Sequence, residues 1–140
     1  MRKLICIIIL LVVAISVSAE WIHHEKEDLM SGETVRVMML EAEAYEATLR
    51  PPYLVFRTEE GMIDIFISWG GYSMDYDISV VYVKFEDDVV PVAVEPSTDK
   101  EATFIVDTGH FLEEMRVCEF IVVQAKRATG VQSLAKWNLA

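Results

Sequence analysis

The 140-residue chain is 53% hydrophobic and 25% charged, proportions that exclude a disordered or low-complexity polymer and suit one packed domain. A domain of this size buries roughly two thirds of its unfolded surface and needs neither metal nor disulfide to fold. Twelve basic residues against 23 acidic ones give a formal charge of −11, which argues against nucleic acid and anionic lipid as partners, because both are bound through Lys and Arg.

In chain order, Met1-Arg2-Lys3 is a positive start, Leu4 to Val17 is apolar apart from Ser16, and Val17-Ser18-Ala19 presents small residues. This is the three-part grammar of a secretory signal peptide, with cleavage expected after Ala19. These fourteen residues fall short of the ~20 that a spanning helix needs. Cys6 leaves with residues 1–19, so Cys118 is the one cysteine of the mature chain and no internal disulfide is expected. Loss of Arg2 and Lys3 takes the charge from −11 to −13. An exported acidic domain without disulfides fits a bacterial periplasm better than the external medium.

Residues 20–33 read as a mobile N-terminal segment and residues 34–140 as a single domain, with no internal repeat or long linker. Thr34 to Leu49 is ambiguous: Val35, Met38, Ala42, Tyr45 and Leu49 would line a helix, while the hairpins that follow need another partner strand. We read Thr34 to Ala42 as that strand. Pro51-Pro52 stops any helix. Tyr53 to Arg57 and Ile63 to Trp69 then form a hairpin across Thr58-Glu59-Glu60-Gly61, with Ile65 and Ile67 on the buried face and Asp64 off it. Ile78 to Phe85 and Val89 to Val94 pair across Glu86-Asp87-Asp88. Ala102 to Val106 is a further strand. A short helix near residues 109–116, capped by Thr108, carries Phe111, Leu112 and Met115 on one stripe. Cys118 to Lys126 and Val131 to Leu139 make the last hairpin. The predicted fold is all-β, an antiparallel sandwich or open barrel of seven or eight short strands.

Chemistry-bearing clusters are sparse. His23-His24 with Glu25, Glu27 and Asp28 is the best metal-like group, yet neighbouring histidines on an extended chain point to opposite sides. Asp75 and Asp77 with Glu86-Asp87-Asp88 lack a calcium-loop pattern. His110 has no evident nucleophile to serve, and Cys118 reads as inert core. Neither a metal nor a cofactor is expected, nor catalysis. Trp69-Gly70-Gly71-Tyr72 is the most unusual feature. It reads either as a structural corner with Trp69 in the core, the favoured view, or as a recognition surface with Asp75 and Asp77 beside it.

The order of motifs resembles the type VI secretion system-associated accessory proteins of the VasI/TagO kind. The matching pieces are Trp21, Met30, Val35, Arg50-Pro51, Leu54-Val55-Phe56-Arg57 and Ile65 to Tyr72. Val81-Tyr82-Val83, Ser97-Thr98-Asp99, Ala102-Thr103-Phe104, Phe111-Leu112 and Trp137-Asn138-Leu139 follow in order. Thr58 and Val94 depart from the pattern, standing where cysteine and tryptophan are expected. The resemblance implies a signal-bearing periplasmic protein of Gram-negative bacteria and carries over no catalytic residues. The expected function is therefore a non-enzymatic accessory or binding protein of the envelope, steered by its acidity toward a basic envelope protein. The alternative is a small secreted inhibitor or ligand binder acting on a basic envelope enzyme.

Overall fold

The computed structural model describes residues 21–27, 29–71, 73–75 and 77–139, so the proposed signal peptide and Tyr72 lie outside the described residues. Ten strands and one helix follow in order: β1 (Trp21–Glu27), β2 (Thr34–Glu41), β3 (Ala44–Glu46), β4 (Tyr53–Glu59), β5 (Met62–Ser68), β6 (Val80–Phe85), β7 (Asp88–Pro96), β8 (Ala102–Ile105), α1 (Thr108–Arg116), β9 (Phe120–Lys126) and β10 (Gln132–Asn138). They form one curled antiparallel sheet, a half-barrel, in the order β1-β2-β4-β5-β8-β7-β6-β9-β10-β3. The all-β expectation holds, but the strand count is ten rather than seven or eight.

The two additional strands are the sheet's edges, β1 and β3. β1 falls within the segment read as a mobile arm. It pairs with β2 along its whole length, from Trp21 opposite Leu40 to Glu27 opposite Thr34. Its side chains are exposed apart from a half-buried Trp21, so backbone pairing rather than an apolar face holds it. Trp21 adds an edge-on contact with Phe56, ring centroids 5.5 Å apart.

The β4–β5 hairpin closes on two residues, because Glu59 pairs with Met62. Glu60 and Gly61 have φ of 55° and 77°, the signs that a tight type I′ turn demands. Curvature comes from strands that change partners. β7 pairs with β6 through Ala93 and with β8 from Val94 onward. At the other seam the Ala42 N–H donates to Pro52 O and the Glu43 N–H to Lys136 O, both at 2.9 Å, so the chain passes from β4's side to β10's. The buried Trp137 Nε1 donates to Leu40 O at 2.9 Å and pins that seam.

The concave side is the core. Leu40, Leu54, Ile65, Ile67, Trp69, Val81, Val83, Ile121, Val123 and Trp137 are buried together there. Each such side chain stabilises the fold by about 1.5–3 kcal/mol over an exposed one. α1 packs into the concavity through buried Phe111 and Met115, and Phe111 meets Phe85 edge-on at 5.6 Å. Its N-cap is Asp107 rather than Thr108: the Asp107 carboxylate accepts the His110 N–H at 3.1 Å. Cys118, expected in the core of a strand, instead lies between α1 and β9, partly buried, with its thiol donating to Glu114 O at 3.1 Å. Among the described residues no helix is long and apolar enough to cross a membrane.

Candidate functional site

Trp69 leaves β5 on the core face that Ile65 and Ile67 already occupy, because side chains alternate along a strand. It is fully buried, and its Nε1 donates to Thr103 Oγ1, also fully buried, at 3.0 Å. Gly70 follows with φ of 65° and its carbonyl accepts the N–H groups of Leu49 and Arg50 at 3.2 and 3.1 Å. A Cβ on Gly70 would sit 2.1 Å from Arg50 O, and one on Gly71 would sit 2.8 Å from the Arg50 guanidinium. The two glycines therefore let the backbone of residues 49–50 lie directly on the corner. Trp69 and Gly70, named above among the residues of a recognition surface, are enclosed by the fold and offer nothing to a partner.

Beyond the corner the chain is tied down from two sides. Met74 is buried, and its N–H donates to Lys100 O at 2.7 Å. The Asp75 N–H donates to Lys126 O at 2.8 Å, and the Asp75 carbonyl accepts the Ile78 N–H at 3.1 Å. Asp75 Oδ1 accepts the Asp77 N–H at 3.3 Å, while Oδ2 lies 3.6 Å from Lys126 Nζ. That ion pair is partly exposed and contributes ~1 kcal/mol at most.

These constraints hold Asp75 and Asp77 on the wall of a shallow groove of about 230 Å³. Val80 and Tyr82 from β6, Gln124 and Lys126 from β9 and Gln132 from β10 line the rest. Tyr82 is 50% exposed. The sequence singled out the two aspartates. It did not single out the groove's other walls, which come from strands remote in the chain and brought alongside by the β6–β9 and β9–β10 ladders.

The remaining candidates are dispersed. His23 and His24 are exposed and alternate faces on β1, opposite Met38 and Val37. Glu86 sits at the far end of β6 from Asp77, where its Oε1 accepts the Glu119 N–H at 2.6 Å. His110 is exposed on α1 and joins the cap only through its backbone. Among the described residues no three of His, Cys, Asp and Glu gather where they could hold a metal ion. Comparison of the chain with protein-family models, with curated proteins and with solved structures finds no match.

Proposed function

We propose that the chain is an exported, non-catalytic binding protein that docks a basic partner of the bacterial envelope on the outer face of its sheet. The observation that carries this reading is the groove in which Asp75, Asp77 and the half-exposed Tyr82 share one wall system. A lysine or arginine side chain fits it chemically: the exposed Asp77 carboxylate neutralises the charge, Asp75 joins it by exchanging its partly exposed Lys126 partner, the tyrosine ring accepts a cation, and the glutamine amide oxygens accept its N–H groups. The wider charge, −13 once Arg2 and Lys3 are lost from the −11 of the whole chain, would draw such a partner in and make its capture salt-sensitive. Export rests on the tripartite leader of residues 1–19, and an accessory role in secretion rests on motif order alone.

Affinity capture from envelope extract tests the reading. The native protein is expected to retain a basic protein that elutes as salt is raised. An Asp75→Asn/Asp77→Asn variant is expected to lose it. Equal retention by both would remove the groove from the account. A captured cell-wall hydrolase, inhibited on binding, would favour the inhibitor reading over the accessory one.

A further inference from the structure

A second concavity, of about 350 Å³, lies where β1, α1 and the end of β10 meet, and it shares no residue with the aspartate groove. Trp21, Leu112, Met115, Arg116, Cys118 and Leu139 line it. Met115 is buried, while Trp21, Leu112, Cys118 and Leu139 pack against the core and stay partly exposed. The floor is thus apolar, backed by the core and open to water. Two contacts hold its ends: Trp21 meets Phe56 edge-on at 5.5 Å, and the Leu139 N–H donates to Glu119 O at 2.7 Å.

Arg116 is the one charged group in the lining, and no carboxylate shares that lining with it. It is exposed in the last turn of α1, and its side chain makes no ion pair or hydrogen bond among the described residues. Its guanidinium therefore keeps its N–H donors for a group from outside. The group that a planar guanidinium matches best is an oxyanion such as a carboxylate, held through two parallel hydrogen bonds.

The volume falls at the small end of the roughly 300–1,000 Å³ of ligand pockets, room for one acyl chain rather than two. An apolar floor with a single exposed cation is complementary to an apolar chain that ends in one carboxylate. We infer that this groove binds a single-chain carboxylate amphiphile, a fatty acid in chemical class, with its chain on Trp21, Leu112, Met115 and Leu139 and its head on Arg116. The acidity of the whole chain still argues against an anionic bilayer, which is held by a cluster of Lys and Arg, whereas one carboxylate needs one cation. The site goes beyond the docking of a basic partner and stands without it.

The exported protein is titrated with decanoate, dodecanoate, dodecanol and dodecylammonium, each below its micelle concentration, while alkylation of Cys118 is followed by peptide mass spectrometry. Dodecanoate is expected to bind and to slow Cys118 labelling. It should bind about tenfold tighter than decanoate, the effect of burying two more methylenes. Dodecanol should bind about two- to fivefold more weakly than dodecanoate, the size of a solvent-exposed ion pair, and dodecylammonium more weakly still. Arg116→Gln should erase the preference for carboxylate over alcohol while leaving dodecanol binding and the melting curve unchanged. Asp75→Asn/Asp77→Asn should bind dodecanoate as the native protein does, which keeps this site apart from the aspartate groove. Binding of dodecanoate that leaves Cys118 unprotected would overturn the inference, as would equal affinity for dodecylammonium or a carboxylate preference that survives Arg116→Gln. Anionic phospholipid vesicles that slow labelling where dodecanoate fails would assign the face to a membrane and overturn it as well.

Discussion

Gly70 is the residue whose role is most sharply fixed. A side chain there meets Arg50 O at 2.1 Å, a backbone atom that cannot rotate away, and the φ of 65° is strained for any L residue. Gly70→Ala should therefore cost about 1–3 kcal/mol or more in denaturant melts. Gly61→Ala is the control: its φ of 77° carries the same strain, but nothing lies within 4 Å, so only about 1–2 kcal/mol is expected. Equal losses would remove the Arg50 contact from the argument. Thr103→Val keeps the shape but leaves the buried Trp69 N–H without its acceptor, and should cost about 1–3 kcal/mol. Ile67→Ala should cost about 2–5 kcal/mol as a buried truncation, while Asp64→Ala loses only an exposed pair with Arg57, about 1 kcal/mol or less. Trp69 was legible as core because it continues the Ile65–Ile67 alternation. Its partner Thr103 was not, because a hydrogen bond across 34 residues leaves no local trace.

At the scale of elements, the strands that bury one face were readable and the edges were not. β5, β6 and β9 alternate clearly, and their turns carry Gly or acidic residues. β1 reads Ile-His-His-Glu-Lys-Glu after its tryptophan, with no apolar period, because an edge strand is held by backbone pairing and kept soluble by charge. The helix stripe was readable, but its cap was displaced by one residue, since Asp107 and Thr108 are both capable caps. Asp107→Ala should lower stability by about 0.5–2 kcal/mol, measured by thermal melting, and Thr108→Ala by less. The β7–β8 turn gives a pH prediction. Ser97 Oγ donates to Asp99 Oδ1 at 2.7 Å and the Glu101 N–H donates to the same oxygen at 3.0 Å. The hydroxyl first, then the amide, hold this carboxyl below its usual pKa. Its stabilisation is therefore complete above about pH 4, the ordinary aspartate value, and is lost as the pH falls through the lower folded value. Asp99→Asn should flatten the acid limb of a circular-dichroism titration in that window; an unchanged limb would contradict the assignment.

At the scale of the molecule, the two aspartates were legible as a candidate pair, but the groove was not, because β6, β9 and β10 are made neighbours only by long-range ladders. Export also belongs to this scale: N-terminal sequencing of the exported protein should find Glu20 first, and an intact Met1 terminus would contradict the leader reading. The central claim is that a basic envelope protein sits on the Asp75–Asp77–Tyr82 groove. Its most direct test is a photo-crosslinking residue placed at Tyr82, with a control at the exposed Met62 that opens β5, in cells exporting the protein. The account predicts an adduct from position 82 with a basic protein, abolished by Asp75→Asn/Asp77→Asn, and none from position 62. Adducts of equal yield from both positions, or none from position 82, would contradict it.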